Sequence, residues 1–257
     1  MADRSLIEWT DATWNVVTGC SRVSRGCQNC YAERLAATRL KHHPSRAGLA
    51  DKHGWTGRVR FNEQWLAQPM RWQDPRRIFV AAHGDLFHGN VPDAWIDAVF
   101  GVMNEATRHV YQLLTKRPGR ARDYFAARRW DDPETGQLPS HIHLGVSVED
   151  QPTADERLAA LGQIEAAVRW VSIEPLLGPV EIDEHLEDLD WVVVGGESGP
   201  GARPMDPSWA RSLRNQCICA RVPFFFKQWG GPSAKSGGRL LDGREWSQMP
   251  GGAERWA

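Results

Sequence analysis

The chain has 257 residues, of which 41% are hydrophobic and 25% charged, a globular composition that is long enough for one large hydrophobic core. Its net charge of -1 indicates neither a nucleic-acid coat protein nor a membrane binder, and its longest apolar runs are far below the roughly 18 residues of a membrane helix. Charges in the opening residues and five cysteines, an odd count, lead us to expect a cytoplasmic protein without membrane contact or a disulfide framework.

Seven short runs rich in β-branched and aromatic residues alternate with helical stretches. The runs are Thr13 to Thr18, Arg77 to Ala82, His109 to Leu114, His141 to Val148, Arg169 to Ile173, Trp191 to Val194 and Pro223 to Phe226. From the second run onward their centres lie roughly 20 to 35 residues apart, the spacing of βα units. Most are nearly continuous in apolar residues, which is typical of parallel strands covered on both faces. We therefore predict the α/β class, with a closed or nearly closed barrel ahead of an open, doubly wound sheet.

Several of the predicted helices have recognisable start signals. Pro92 suits a first helical turn, Thr153 followed by Glu156 is a capping-box pattern, and Asp206 with Pro207 begins a further helix. Two segments do not follow the strand and helix alternation. Residues 42–60 form an insertion, and residues 230–257 contain seven glycines and few aliphatic residues. We predict one barrel domain over residues 1–229, followed by a loop-rich C-terminal cover or tail over residues 230–257.

The most specific local pattern consists of Cys20, Cys27 and Cys30, spaced C-x6-C-x2-C directly after the first β run. Structural zinc takes four protein ligands, and the nearest further candidate, His42, lies well beyond the group. Three thiolates on a 4Fe-4S cluster leave one iron without a protein ligand, and in radical S-adenosylmethionine (SAM) chemistry that iron binds SAM. Zinc and metal-free thiols are the alternatives. Cys217 falls on the apolar face of its predicted helix, and we treat it and the nearby Cys219 as non-ligands.

The cysteine pattern belongs to a longer series of motifs. The run TWNVVTGCSRVSRGCQNCYAE is followed by DLFH, LTKRP, LGVSVEDQ, SIEPLLGP, DWVVVGGESGPGARPM and PFFFKQWG. Together these blocks, from Trp14 to Gly230, resemble a bacteriophage- and prophage-associated family of radical-SAM-like proteins of unassigned function. The resemblance implies a single-domain, partial TIM-type (β/α)6 barrel that carries a 4Fe-4S cluster and SAM. The commoner radical SAM spacing is C-x3-C-x2-C, so the first gap is longer here. An electron donor such as flavodoxin or ferredoxin is the implied partner.

Polar residues follow the predicted strands on the face where barrel enzymes gather their active groups. The candidates for cofactor binding are Asp85, Ser147, Glu149 and Glu197, and the candidates for catalysis are Lys116, Glu174 and Lys227. Relatives present a carboxylate or carbonyl groups to SAM at the position of Asp85, which is therefore assigned to the amino group of SAM. Ser147 and Glu149 are assigned to the ribose hydroxyls. Lys116 is assigned to the SAM carboxylate or to a substrate phosphate.

The charges are divided unequally along the chain. Residues 1–129 hold 20 Lys and Arg against 12 Asp and Glu, whereas residues 130–257 hold 11 against 20. The basic half either faces an anionic partner or is neutralised by the acidic half in the fold. Five tryptophans lie among the arginines of the basic half: Trp9, Trp14, Trp55, Trp65 and Trp72. They favour a nucleic acid, whose bases stack on aromatic rings, with burial in the core as the alternative.

These features predict a radical SAM iron-sulfur enzyme that generates a 5′-deoxyadenosyl radical to modify a substrate. Three hypotheses stay open. The substrate is a nucleoside or nucleic acid, or it is a small metabolite or peptide. The third hypothesis is a non-catalytic nucleic-acid-binding module that an iron-sulfur cluster or zinc stabilises. Salt-sensitive affinity for DNA or RNA distinguishes the first from the second, and the identity of the bound metal distinguishes the third.

Overall fold

The computed structural model describes residues 5–128, 130 and 133–251, so the end of the predicted C-terminal segment, 252–257, lies outside the described residues. Seven strands form one sheet in the order β1-β2-β3-β4-β5-β6-β7, and strands that follow one another in this series are neighbours in the sheet. They are β1 (Ala12–Trp14), β2 (Arg77–Val80), β3 (Val110–Thr115), β4 (Leu138–Val148), β5 (Ala166–Ile173), β6 (Trp191–Gly195) and β7 (Phe224–Gln228). Each overlaps one of the seven predicted runs, and the predicted α/β class is confirmed.

Within the described residues, six α-helices accompany the sheet. They are α1 (Tyr31–Ala37), α2 (Gln68–Arg71), α3 (Asp93–Glu105), α4 (Pro118–Ala127), α5 (Gln151–Leu161) and α6 (Pro207–Ala220), with short 3-10 helices at Arg25–Cys27, Glu63–Trp65 and Asp183–Asp188. Helix α3 joins the parallel strands β2 and β3, and α6 joins the parallel strands β6 and β7, because parallel neighbours need a crossover connection. Every helix in the described ranges is too short or too polar to cross a bilayer.

The chain divides into two compact units, of which the first comprises residues 1–144 and 165–167. In this unit β1 and β2 are parallel, with Ala12 opposite Ile78, and β2 and β3 are parallel, with Ile78 opposite Tyr111. All three of these side chains are buried. Helix α3 adds Val99 and Met103, which share one face at a spacing of four residues and are both fully buried.

The predicted insertion, residues 42–60, has its own local structure in the first unit. Ala50–Asp51 and Gly54–Trp55 form a two-stranded hairpin. Arg60–Phe61 then pairs antiparallel with Val17–Thr18, directly after β1. The insertion is therefore fastened at its end to the stretch of chain that leads into the cysteine loop.

The second unit comprises residues 145–164 and 168–257. Its strands β5, β6 and β7 are parallel, with Trp191 opposite Trp170 and Val192 opposite Phe224. All four side chains are fully buried, as expected for strands that read as continuous apolar runs. Cys217 of α6 is also fully buried, which agrees with its prediction as a packing residue.

Two helix starts in the second unit test the predicted start signals. Helix α6 begins where Asp206 and Pro207 predict, with the Asp206 carboxylate accepting a hydrogen bond of 2.7 Å from the Ser208 amide. Helix α5 begins earlier than predicted, because Asp150 and not Thr153 is the N-cap. The Thr153 amide donates to the Asp150 carboxylate over 3.3 Å, and the Thr153 hydroxyl accepts from the Asp150 amide over 3.1 Å, so Thr153 completes the capping box from within the helix.

The described part of the C-terminal segment, residues 230–251, contains one hairpin formed by Leu240–Leu241 and Arg244–Glu245. The segment is attached to β7, since the Phe226 amide donates to the Trp246 carbonyl over 2.9 Å. The remaining residues form turns, bends and isolated bridges.

Candidate metal and active site

The three predicted ligands lie on the loop that follows β1, and Gly19 fixes the start of this loop. The Gly19 amide donates to the His83 carbonyl over 3.1 Å, which holds the loop beside the residues that follow β2. Gly19 has φ +95, and a Cβ there would lie 2.2 Å from the Arg58 carbonyl oxygen, so no other residue fits. This arrangement brings Cys20 within electrostatic range of Asp85.

Cys20, Cys27 and Cys30 are free, half-exposed thiols. Cys27 is the last residue of a 3-10 turn, and Cys30 is the N-cap of α1. Burial raises the pKa of Cys30; the first-turn amides of α1 act in the opposite direction, whereas Cys27 and Glu33 add to the rise. Cys27 and Cys30 are therefore near enough for a charge on one to affect the other.

Cys20 has two polar neighbours, the Ser21 carbonyl, to which its thiol donates over 3.4 Å, and an arginine. Arg117 Nη1 lies 3.5 Å from Cys20 Sγ and donates a hydrogen bond to it. Burial raises the pKa of Cys20 to about 12, and the Asp85 carboxylate adds to the rise, whereas Arg117 acts in the opposite direction. The Cys20 thiol is therefore protonated in the metal-free protein at neutral pH, and a metal that binds there displaces its proton.

Asp85 is buried at the end of the loop after β2, and its carboxylate is occupied by protein donors. Oδ1 accepts hydrogen bonds from Thr115 Oγ1 at 2.8 Å and from the Phe87 amide at 3.0 Å. Oδ2 accepts from Arg117 Nη1 at 2.8 Å and from the Lys116 amide at 3.2 Å. A carboxylate has about four lone-pair sites, so a SAM amino group would have to displace one of these donors. The assignment of Asp85 to SAM stays a prediction, and the geometry favours a role in positioning Arg117.

Arg117 extends from Asp85 to the cysteine loop. Its Nη2 donates to the Ser21 carbonyl at 2.8 Å and to Ser21 Oγ at 3.0 Å. His88 Nε2 lies 2.9 Å from the same hydroxyl, and His88 Nδ1 accepts from the Asn90 amide at 3.0 Å. Because Nδ1 is an acceptor, the proton of the neutral ring is on Nε2 and is donated to Ser21. Burial and the nearby Arg117 lower the pKa of His88, which keeps the ring neutral.

The sequence assigned a catalytic role to Lys116, which the structure places half-buried in this group with its amide on Asp85. Ser21 and His88, which the sequence does not single out, belong to the same group as Arg117. The signal for them lies in the quoted motifs, because DLFH contains both Asp85 and His88, and LTKRP contains Arg117. The spacing alone does not show that the two motifs meet.

Two of the predicted carboxylates in the second unit are bound to arginines. Glu149 has no exposed surface, and its Oε2 accepts from Arg157 Nη1 at 3.0 Å, while the same nitrogen donates to the Ser147 carbonyl at 2.6 Å. Burial leaves neither oxygen of Glu149 accessible to a ribose. Glu197 is buried and accepts from Arg203 Nε at 2.8 Å. The two ion pairs therefore fix the loops that follow β4 and β6.

Glu174 and Lys227, by contrast, form a half-buried pair that solvent partly reaches. Lys227 Nζ donates to Glu174 Oε1 over 2.5 Å, with 18% and 20% of the two side chains exposed. Glu174 follows β5, Lys227 lies on β7, and Gly195 at the end of β6 lies close beside the acid. A Cβ at Gly195 would be 3.3 Å from the Glu174 carboxyl carbon, so the absent side chain leaves room for the pair. The structure therefore brings these two predicted catalytic residues together.

The described residues contain no group of three or more His, Cys, Asp or Glu side chains that could hold a metal ion as they stand. A 4Fe-4S cluster takes one thiolate per iron, whereas a mononuclear zinc site draws four ligands to one centre at about 2.3 Å for sulfur. The donor set on the loop, three thiols and no fourth protein ligand, fits the chemistry of a cluster with one open iron.

The aromatic part of the nucleic-acid prediction is wrong for three of the five tryptophans. Trp9, Trp14 and Trp72 are buried and so cannot stack on a base. Trp14 lies on β1 in the core, where its Nε1 donates to the Trp65 carbonyl over 2.8 Å. Trp55 and Trp65 are half-buried. Aromatic residues in β-rich segments pack inside because each ring buries a large apolar area.

Fold and loop together define an α/β protein with a three-cysteine loop at the end of the first strand of its sheet. The chain belongs to the family described as "Protein of unknown function (DUF5131)", which it matches over residues 4–250. No curated protein matches it.

Two solved structures are similar to the chain. One is spore photoproduct lyase complexed with dinucleoside spore photoproduct, at 13% identity and a TM-score of 0.42, covering 82% of this chain and 62% of that chain. The other is a point variant of spore photoproduct lyase, at 12% identity, the same TM-score and the same coverage. This chain therefore spans less than two thirds of the length of either structure.

Proposed function

We propose that this protein is an iron-sulfur enzyme of the radical SAM type, with a 4Fe-4S cluster held by Cys20, Cys27 and Cys30. One observation carries the proposal: three free, half-buried thiols share a loop at the end of a strand, and a half-buried arginine donates to one of them. In this class the cluster and SAM supply a one-electron cleavage that yields a 5′-deoxyadenosyl radical. An electron donor such as flavodoxin or ferredoxin is the corresponding partner.

Arg117 has a defined role in this proposal. Its guanidinium places a positive charge and an N–H donor against the sulfur of Cys20. Hydrogen bonds and positive charge next to ligand sulfurs stabilise the more negative, reduced state of a cluster and so raise its potential. Asp85 holds the guanidinium in place and is a positioning residue, and its assignment to the SAM amino group stays a secondary prediction.

In the second unit, Glu174 and Lys227 are our candidates for contact with the substrate. They are accessible and bind each other, whereas the other predicted acids of that unit are buried against arginines. The pair presents an ammonium donor and a carboxylate acceptor side by side, so it can bind a substrate group of either charge. The substrate itself is a separate question.

Formation of 5′-deoxyadenosine tests the proposal. Protein purified without oxygen is incubated with dithionite and SAM, and the nucleoside is measured by chromatography. We expect product from wild type and from Cys219→Ala, which removes an exposed cysteine outside the loop, and none from Cys27→Ala. A protein with its full iron content that produces no 5′-deoxyadenosine contradicts the proposed function.

A further inference from the structure

We propose that residues 34–60 form a nucleic-acid-binding surface next to the cysteine loop. The segment contains seven Lys and Arg but a single acidic residue, Asp51. Three histidines, at positions 42, 43 and 53, lie in the same stretch. The proposal goes beyond the proposed function because it concerns a second surface. Binding of a nucleic acid to that surface can be measured without the cluster.

Most of the positive charge on this segment is exposed and uncompensated. The exposed cations are Arg34, Arg39, Lys41, Lys52 and Arg58. Among the described residues, no carboxylate lies within ion-pair distance of any of the five. Several arginines elsewhere have ion-pair partners, as Arg77 has in Asp11 and Arg211 has in Asp242. Repulsion between unpaired like charges destabilises a fold, and an anionic partner relieves it.

The other two cations hold the segment together. Arg46 is buried and donates to His83 Nδ1 at 3.0 Å, and Arg60 donates to the Ala47 carbonyl at 2.9 Å and to that of Pro44. The five exposed cations are therefore displayed on a folded piece of chain. Arg60 is consequently a poor choice for a charge-removing variant, since its loss would disturb the surface itself.

The surface is joined to the cysteine loop through α1. Glu33 of this helix accepts from Arg22 Nε of the loop at 2.9 Å and from the Trp55 amide of the hairpin at 3.0 Å. A strand of nucleic acid bound along the segment would therefore run beside the three thiols. Tyr31 directly follows Cys30 and is 43% exposed, which offers an aromatic ring on which a base can stack.

A nucleic acid fits this surface better than a membrane does. Binding to a membrane surface combines basic residues with an apolar face that enters the lipid. None of the large hydrophobic side chains that the structure shows as exposed lies within residues 34–60. Phosphates spaced along a polymer need only the cations.

The test is the salt dependence of oligonucleotide binding by the full chain. Affinity for a labelled single strand is measured between about 50 and 200 mM salt, where each phosphate contact contributes about -0.7 to the slope of log affinity against log salt. The triple variant Lys41→Gln/Lys52→Gln/Arg58→Gln should make the slope less negative by about two units. Arg58→Gln should make it less negative by about 0.7, and Arg221→Gln, which changes an exposed arginine of the second unit, should leave it unchanged. Circular dichroism confirms that each variant is folded.

Three results would overturn the proposal. The first is an absence of wild-type affinity at about 50 mM salt, where non-specific binding is strongest. The second is a triple variant that keeps the wild-type slope. The third is binding to vesicles that contain phosphatidylserine without binding to oligonucleotides, which would assign the surface to anionic lipid. A failure to bind iron changes none of these measurements, so the two proposals fail separately.

Discussion

Removal of the charges on Asp85 and Arg117, singly and together, tests whether Asp85 positions the arginine. The Asp85 carboxylate now accepts four hydrogen bonds, two on each oxygen. In Asp85→Asn, an NH2 group replaces one of these oxygens and faces two donors, and Arg117 loses its counter-charge. In Arg117→Gln, the Asp85 carboxylate loses its only charged donor among the described residues, and Cys20 and Ser21 lose theirs. The double variant Asp85→Asn/Arg117→Gln leaves no charge of the pair uncompensated.

The structure sets the expected size of each effect. The two side chains are 7% and 13% exposed, so solvent screens their interaction little. Removing one partner of a buried pair costs about 3–5 kcal/mol, most of it from the charge left behind. The double variant should cost no more than either single one, which gives a coupling energy of about 3 kcal/mol. The exposed pair of Arg77 and Asp11, with the same residue types, should couple by less than about 1 kcal/mol.

Equilibrium unfolding of the metal-free protein in urea measures the four free energies, with the Asp11 and Arg77 variants as the matched control. SAM affinity of the reconstituted variants, measured by calorimetry, then separates two roles for Asp85. If Asp85 acts through Arg117, the two single variants lose the same affinity and the double variant loses no more. Additive losses, in stability to within about 0.5 kcal/mol or in affinity, would refute the positioning role.

Three further predictions concern stability. Gly19→Ala should destabilise the protein by more than Gly57→Ala, because both have positive φ but only Gly19 lacks room for a Cβ; urea unfolding measures both, and equal losses would contradict the close contact. Glu149→Gln should cost about 3–5 kcal/mol because its buried arginine partner is left charged without a counter-charge, against about 1 kcal/mol for the more accessible Glu174→Gln; the reverse order would contradict their assignments. Burial lowers the pKa of His143 to about 4, below the unfolded value of about 6.5, so the unfolded chain binds the proton first as the pH decreases. The stability of the fold therefore falls as the pH decreases through that window. Between pH 7 and 5, His143→Gln should lose less stability than wild type, and an equal loss would contradict this.

The strands were predictable because their chemistry is local. A continuous apolar run such as Trp191 to Val194 has no polar face to present to water, as an amphipathic helix would, and it forms a buried strand. The start of α6 was equally local, since Asp206 caps the helix that it precedes. The start of α5 was missed because Asp150 and Thr153 are both suitable cap residues. The Asp150 carboxylate accepts from the Thr153 amide, so Asp150, three residues before Thr153, is the N-cap.

The site was only partly predictable because its contacts are not local. The three cysteines are close in sequence, and their spacing identifies them as one group. Asp85 and Arg117 follow different strands, and their ion pair depends on the parallel register of β2 and β3. Sequence reasoning found that polar residues gather at strand ends, but whether an acid such as Glu149 is buried against an arginine or left accessible is decided by packing.

Electron paramagnetic resonance of the reduced, anaerobically purified protein, before and after addition of SAM, tests the proposed function most directly. Iron and sulfide are measured on the same sample. With three thiolates and one open iron, we predict about four irons per chain, a reduced cluster signal, and a change in that signal when SAM binds the open iron. Cys219→Ala should behave as wild type, and Cys27→Ala should lose the signal. Stoichiometric zinc without sulfide, or a cluster signal that SAM leaves unchanged, would contradict a radical SAM centre at this loop.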